Sequence, residues 1–446
     1  MKLSIKLKSY LYKFIAYIII NFLFILNVFA LQGPNIKPKL NTDKYCVIDM
    51  VTKRVLYSSN KDERVYPSDT VKLLTAMIAY DKLDDKLPVT IVSESVITKD
   101  GPILSSFEVG ESYSKSDIIR GLMMPANNDA SIARTITVTI ARRDTNNKEL
   151  PYDDCVKYFA NLMNEKAKSY GANSSNFINA QGYHNDNNYS TPYDMAMIAS
   201  HIIDYPDLEK IVGETHFKIE DSKATGLIHK AQNIYNKSDF LTNPYVGYKY
   251  ATGIKGGYSK EAGYCLIASA KKDNKNFIIT LFNDKDGPTA SLDAKNMLDF
   301  AFDKYKNLYS INENEIIDKV HLTDASRFSL SNVEIYTDRD ITIPYLTDES
   351  IDFEYNFDTN IIKNLNGKYV IQKDVVKNEK LGTLSIKIND KSTVDMDIYA
   401  NNNIKKQTNI DYILYKVFIE KLGILMLAIF ICLVLVVVKL IRKRNK

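Results

Sequence analysis

The chain of 446 residues has no tryptophan, four cysteines, five histidines and a net charge of only +4. Each shortage closes off a class of protein. Cys46, Cys155, Cys265 and Cys432 contain no C-x-x-C spacing, and Cys432 falls inside a long apolar run. Three cysteines outside that run cannot all pair within one chain. A disulfide framework is therefore excluded as the basis of the fold, and buried thiols are expected. His184, His201, His216, His229 and His321 show no ligand spacing, so no metal is expected, and no other cofactor. A surplus of four charges is too small to argue for nucleic acid, and none is expected as a partner. The lack of tryptophan beside abundant Asn, Lys, Ile and Tyr reads as the codon bias of an AT-rich genome and carries no function.

What the chain does have is enough apolar residue, 45% against 25% charged, for two or three domains with sizeable cores. Its two ends are membrane-like. Residues 1–30 read as a secretory signal: a basic start to Lys13, an apolar stretch Phe14 to Phe29, and small residues at Val28-Phe29-Ala30 for cleavage. An uncleaved anchor is the alternative, and both export the body. Leu422 to Val438 is an uninterrupted apolar run bracketed by Lys421 and by Lys439, Arg442, Lys443, Arg444 and Lys446. That pattern predicts a transmembrane helix over 421–440, with the basic tail 441–446 cytoplasmic and the body outside. A buried core helix is the competing reading, and the basic cluster at the chain end opposes it.

Between the ends, residues 31–43 read as a tether. Tyr45 to Met50 and Arg54 to Ser58 look like two strands joined at Thr52-Lys53. Pro67 to Ala79, extending to 84, reads as a buried helix, apolar nearly all round and so central to its domain. Further helices are expected over 117–124, on to Ala141 after a break, 153–170, 192–204 and 292–305. Strands are expected over 249–254, 263–270 and 276–281. This order predicts an α+β domain over 44–308, a mainly antiparallel sheet covered by helices, whose first strands pair with its last. From about residue 310 short alternating runs take over, with a hairpin turn at Asn389-Asp390-Lys391. They predict a small β-sandwich over 309–402, then a stalk over 403–420.

The chemistry concentrates around Pro67 to Ala76. Residues 69 and 72 would lie one turn apart on one helix face. That is the spacing a serine nucleophile and a lysine base need at a helix start, the S-x-x-K arrangement. Here the nucleophile slot holds Asp69.

Several stretches follow this one in a distinctive order: Pro125 to Ala130, Gly182-Tyr183-His184, Ser190 to Asp194, Gly253 to Ser259 and Glu261 to Leu266. With Asp62-Glu63-Arg64 ahead of the first, the set resembles the low-molecular-mass penicillin-binding proteins, the serine-type D-alanyl-D-alanine carboxypeptidases, over about residues 43–305. Lys377 to Ala400 resembles that family's trailing β-domain. The resemblance implies a penicillin-binding, serine β-lactamase-like transpeptidase fold and a bacterial, cell-wall-facing protein. Family members remove the terminal D-alanine from the peptidoglycan stem peptide through a serine acyl-enzyme, and penicillin blocks them. Their motifs are S-x-x-K, S-x-N and K-T-G.

Carried over residue by residue, the first motif reads Asp69-Thr70-Val71-Lys72, the second Ala126-Asn127-Asn128 and the third Lys255-Gly256-Gly257. Lys72 takes the general-base slot, Asn128 the amide slot, and Lys255, Gly256 and Gly257 the substrate-binding strand. Asp69, Ala126 and Gly256 each stand where the family has a hydroxyl. Three departures of one chemical kind imply that acyl transfer is lost. A carboxylate at position 69 suits a helix N-terminus and would pair with Lys72, engaging the amine that should serve as base. Attack by that carboxylate on an amide would form an anhydride and expel an amine, which is strongly uphill.

Ser68 is four residues from Lys72 and could in principle substitute. Its direction would be rotated by about 100° and its rise shifted by about 1.5 Å, so a helix N-cap is the expected role. Lys255 could instead be a solvated strand lysine, and Asn128 a cap of the following helix. His184 and Asp194 are read as structural, because no serine sits in a G-x-S-x-G elbow. The expected partners are the wall stem peptide or a cell-wall protein, and the membrane. Two functions compete: a residual carboxypeptidase and a non-catalytic binding module.

Overall fold

A computed structural model describes residues 37–98, 101–102, 106–125, 129–222, 227–389 and 392–444. The expected signal, residues 31–36 of the tether, and the turn residues Asp390 and Lys391 lie outside the described residues. The chain divides into two compact units, Met1–Lys306 and Asn307–Lys446.

The first unit is built on an antiparallel sheet of five strands: β1 (Lys44–Asp49), β2 (Val55–Ser59), β3 (Ala251–Ser259), β4 (Gly263–Lys272) and β5 (Lys275–Asp284). The order across the sheet is β2-β1-β5-β4-β3, so the first strands do pair with the last. β5 is apolar at nearly every position from Phe277 to Phe282 because both faces are covered. On one face Phe277 stacks on Phe302, with ring centroids 4.6 Å apart. On the other the Thr280 hydroxyl donates to the Pro192 carbonyl at 2.7 Å.

Among the described residues, the helices of this unit with eight or more residues are α1 (Lys72–Lys82), α2 (Lys115–Met123), α3 (Asp129–Asp144), α4 (Tyr152–Ser169), α5 (Pro192–Ser200), α6 (Pro206–Gly213) and α7 (Gly287–Lys304). α1 is buried on almost every side from Lys72 to Ala79, as its composition requires. α5 packs against β1 and β5, and α7 against β4 and β5.

Four details differ from the sequence reading. The stretch from Ser68 to Val71 is a 3₁₀ turn, and the α-helix begins only at Lys72. Ser68 caps neither element: the caps are Pro67 and Val71, and neither makes a side-chain cap hydrogen bond. Ser68 itself has φ +49°, outside the range a helix N-cap adopts. The helix expected over 192–204 ends at Ser200, with a 3₁₀ turn from His201 to Asp204. The strand expected over 249–254 runs instead from Ala251 to Ser259, carrying the whole Lys255-Gly256-Gly257 stretch within the sheet.

The second unit is β-rich. Its strands are β6 (Asn307–Ile311), β7 (Ile316–Thr323), β8 (Asn332–Tyr336), β9 (Ile341–Tyr345), β10 (Ile351–Phe357), β11 (Ile362–Leu365), β12 (Lys368–Ile371), β13 (Lys380–Ile388) and β14 (Ser392–Ala400). Seven form one sheet in the order β10-β13-β14-β8-β7-β12-β11, and β6 pairs with β9. β13 and β14 form the hairpin expected around Asn389. One helix, α8 (Asn409–Arg444), runs without a break from within the expected stalk, whose residues 403–408 are not helical, through the expected transmembrane segment.

Candidate active site

The Ser68–Val71 turn packs against β3. In a 3₁₀ turn, side chains three apart eclipse one another, which brings position 69 directly over position 72. Asp69 Oδ1 lies 2.7 Å from Lys72 Nζ. The Lys72 side chain is 2% exposed and that of Asp69 25%, so the carboxylate is the face of the pair that solvent meets.

Two glycines permit this closeness. A Cβ at Gly257 would overlap the Asp69 Cβ, so only glycine lets β3 pass beneath the turn. Gly182, at φ +84°, allows the chain to press against the Ser68 carbonyl, where a Cβ would also overlap. Gly256 is different. A Cβ there would come within 2.6 Å of the Tyr264 hydroxyl, so the phenol fills space that a longer residue would claim.

Lys255 is buried, and its ammonium donates to the Met123 carbonyl at 3.1 Å and the Pro125 carbonyl at 3.0 Å. These carbonyls lie at and just beyond the C-terminal end of α2, the negative end of the helix dipole. The alternative of a solvated strand lysine does not survive that burial. Ala126, Asn127 and Asn128, which continue from Pro125, lie outside the described residues.

A cavity of about 320 Å³ opens over these groups, with Asp69, Lys255, Gly256, Gly257 and Tyr264 among its lining. Three further lining residues, Lys237, Ser238 and Asp239, had no sequence signal. The Ser238 hydroxyl is buried and has no hydrogen-bond partner among the described residues. Asp239 accepts from the Asn243 amide at 2.9 Å. Burial, aided by the Asp239 carboxylate and more weakly by Asp69, pushes the Tyr264 phenol up to about 12, so it stays a neutral donor.

Serine and cysteine side chains among the described residues are buried or lie off the cavity. Ser68 is buried and is not among the residues lining the cavity. Cys265 sits opposite Gly257 in the sheet, but burial pushes its thiol up to about 12, which denies it a thiolate. Cys46, Cys155 and Cys265 are buried free thiols, and Cys432 is exposed on α8. Asp194 is buried and accepts from the Ser174 amide and Ser175 hydroxyl, both at 2.7 Å. His184 packs edge-on to Tyr66. Neither residue lines the cavity.

Two ammonium groups are already engaged, one by a carboxylate and one by backbone carbonyls. Among the described residues lining the cavity, hydroxyls are carried by the phenols Tyr258 and Tyr264 and by Ser238, all remote from Lys72 in sequence.

Known proteins resemble the chain as follows. A family model for D-alanyl-D-alanine carboxypeptidase matches residues 32–286. The D-alanyl-D-alanine carboxypeptidase DacF of Bacillus subtilis is 26% identical over 365 residues, covering 81% of this chain and 85% of its own. DacA of Haemophilus influenzae is 25% identical over 384 residues, covering 82% and 86%. Among solved structures, penicillin binding protein 5 from Haemophilus influenzae aligns with a TM-score of 0.61 at 19% identity, covering 84% of this chain and all of its own. The carboxypeptidase DacD from Francisella tularensis aligns at 0.52 with 17% identity, covering 84% and 96%. At these identities the structures speak for the fold, a penicillin-binding α+β architecture followed by a β-rich domain. The family match spans more than half of the chain, and with it the chain belongs to the D-alanyl-D-alanine carboxypeptidases, the low-molecular-mass penicillin-binding proteins of peptidoglycan metabolism.

Proposed function

We propose that this family member has given up acyl transfer and binds its wall ligand without cleaving it. The observation that carries the reading is the 2.7 Å ion pair between Asp69 and Lys72. It supports a reading in which a carboxylate takes the nucleophile slot and engages the amine that would activate a nucleophile. Aspartate can be a nucleophile where the intermediate suits it, but an anhydride formed from an amide does not. Removing one catalytic nucleophile elsewhere costs on the order of a millionfold in turnover. The glycine at 256 removes a second hydroxyl, and Ala126 a third.

The ligand is the peptidoglycan stem peptide or a protein of the wall, held in the cavity above Lys255, Gly256 and Gly257. The body stands on the outer side of the membrane, exported by the segment 1–30 and held by α8. That helix includes the 29-residue stretch Asn409–Val437, within which an 18-residue window reaches a mean hydropathy of 2.6, with a basic tail beyond.

A fluorescent penicillin incubated with the full chain tests the reading. No covalent band is expected. A band abolished by Ser68→Ala would establish the competing reading, a slow carboxypeptidase acting through the neighbouring serine. Binding of a stem-peptide analogue without release of D-alanine is the positive counterpart.

A further inference from the structure

α8 does not begin at the membrane. Its start is tied to the β-domain. The Thr408 hydroxyl accepts from the Asp411 amide, and the Asp411 carboxylate from the Thr408 amide, both at 3.1 Å. Just before it, the loop joining β7 to β8 is stitched to the approach strand. The Gln407 amide donates to the Asp324 carbonyl and the Ser326 amide to the Lys405 carbonyl, each at 2.7 Å. The Lys405 amide donates to the Ser329 hydroxyl at 3.1 Å. The same loop reaches the helix itself. The Phe328 ring meets Tyr415 edge-on at 6.3 Å, and the Arg327 guanidinium lies 5.1 Å from the Tyr415 ring centre.

The tip of this loop is oddly apolar for a water-facing turn. Phe328 is 59% exposed and Leu330 63%. We infer that the loop Arg327–Leu330 is a second membrane contact, seated in the headgroup layer of an anionic bilayer beside α8. The inference rests on the reading of α8 as a membrane anchor.

Depth supports it. If the apolar span begins at Leu422, Tyr415 stands seven residues, about 10 Å, outside the hydrocarbon edge. If the span begins at Val417, with Glu420 and Lys421 reaching outward, the distance is about 3 Å. The headgroup layer is roughly 5–8 Å thick on each side. With the span beginning at Val417, Tyr415 falls within that layer; with the span beginning at Leu422 it stands about 2–5 Å outside it. Phe328 is at its side. Tyr412 and Tyr415 supply the amphipathic rings that prefer this depth.

Charge points the same way. Arg327, Lys405, Lys406, Lys416 and Lys421 outnumber Asp324, Asp411 and Glu420 in the loop, the approach strand and the first turns of α8. A basic surplus next to exposed aromatic and aliphatic tips matches an anionic lipid surface. Two exposed tips are too little for a stable protein interface, which buries upward of about 1,200 Å² in total.

The test uses the full chain in vesicles of phosphatidylcholine and phosphatidylglycerol. In a Cys432→Ser background, whose other cysteines are buried, Phe328→Cys, Leu330→Cys and Ile424→Cys are each labelled with an environment-sensitive nitrobenzoxadiazole dye. Ile424→Cys should be quenched by lipid labelled deep in the acyl chain. Phe328→Cys and Leu330→Cys should be quenched at least twofold by lipid labelled at the headgroup, and less when phosphatidylglycerol is left out. Quenching at Ile424→Cys with both loop positions open to aqueous iodide would overturn the inference and leave the anchor standing. Protection of the loop positions from iodide without lipid quenching would mean a protein contact, and would equally overturn it. Absence of lipid quenching at Ile424→Cys would remove the anchor reading, and the inference with it.

Discussion

Asp69 and Lys72 are unequal partners, and that asymmetry makes a prediction. Lys72 is almost wholly enclosed while Asp69 retains a quarter of its surface. Asp69→Ala takes the carboxylate from a buried ammonium. Lys72→Met takes the ammonium from a carboxylate that water can still reach. Breaking a fully buried pair from one side costs about 3–5 kcal/mol. Because the Asp69 end is partly solvated, the pair is screened, and about 2–3 kcal/mol is expected for Asp69→Ala. Lys72→Met should cost under about 1 kcal/mol, since a buried methionine packs and the carboxylate rehydrates. For a unit of this size 1 kcal/mol moves the midpoint by about 2–4 °C, so Asp69→Ala should melt about 4–12 °C lower. The double variant Asp69→Ala with Lys72→Met should recover most of the loss, giving a coupling well above experimental error. Thermal unfolding followed by near-ultraviolet circular dichroism reads all four proteins. If Asp69→Ala melts no lower than Lys72→Met, the pair does not hold the site and the argument from electrostatics fails.

Other expectations follow from the same geometry. Asp69→Ser alone should release no D-alanine from a stem-peptide analogue, because Ala126 and Gly256 still lack hydroxyls. Adding Ala126→Ser and Gly256→Thr should help only when Tyr264 is also made Phe, since a Cβ at 256 lies within 2.6 Å of the phenol oxygen. Equal activity with and without that fourth change would contradict this. Gly182→Ala combines a φ of +84° with overlap on the Ser68 carbonyl, and should lower the melting midpoint by an amount matching about 1–3 kcal/mol. Asp284 is buried, one carboxylate oxygen lacks a partner among the described residues, and burial pushes it up to about 6. Between about pH 4 and 6 the native state thus holds a proton that the unfolded chain has lost. This penalty is fully present above about pH 6 and is relieved as pH falls towards 4. Asp284→Asn should stabilise the protein at pH 7.5 by about 1–2 kcal/mol and lose that advantage by pH 4.5. An advantage that does not change with pH would refute the assignment.

Much of the sheet could be read in advance because burial left a strong trace. Both faces of β5 are covered, so its residues are apolar in succession, and β1 and β2 are separated by a recognisable turn at Thr52-Lys53. The spacing of Asp69 and Lys72 was legible for a related reason, since a three-residue interval aligns side chains in a 3₁₀ turn as well as in an α-helix. The same degeneracy hid which of the two forms. The left-handed backbone of Ser68, and with it the absence of a cap, depends on Gly182 arriving from more than a hundred residues away. Tyr264, Ser238 and Asp239 reach the cavity through strand register and a loop, neither of which leaves a local pattern. Tyr264 pairs with Tyr258 across β3 and β4, and only that register sets its hydroxyl against Gly256. Helix α6 and the hairpin His216–Ile219 with Gln232–Tyr235 were missed because both are short. The division between stalk and anchor vanished because helical hydrogen bonds continue through a change of polarity.

The most direct measurement is the intact mass of the exported body after long exposure to excess benzylpenicillin. An unchanged mass is what a carboxylate paired to its lysine predicts. A stable penicilloyl adduct on any side chain of the body would show that a competent nucleophile survives, and would contradict the loss of acyl transfer.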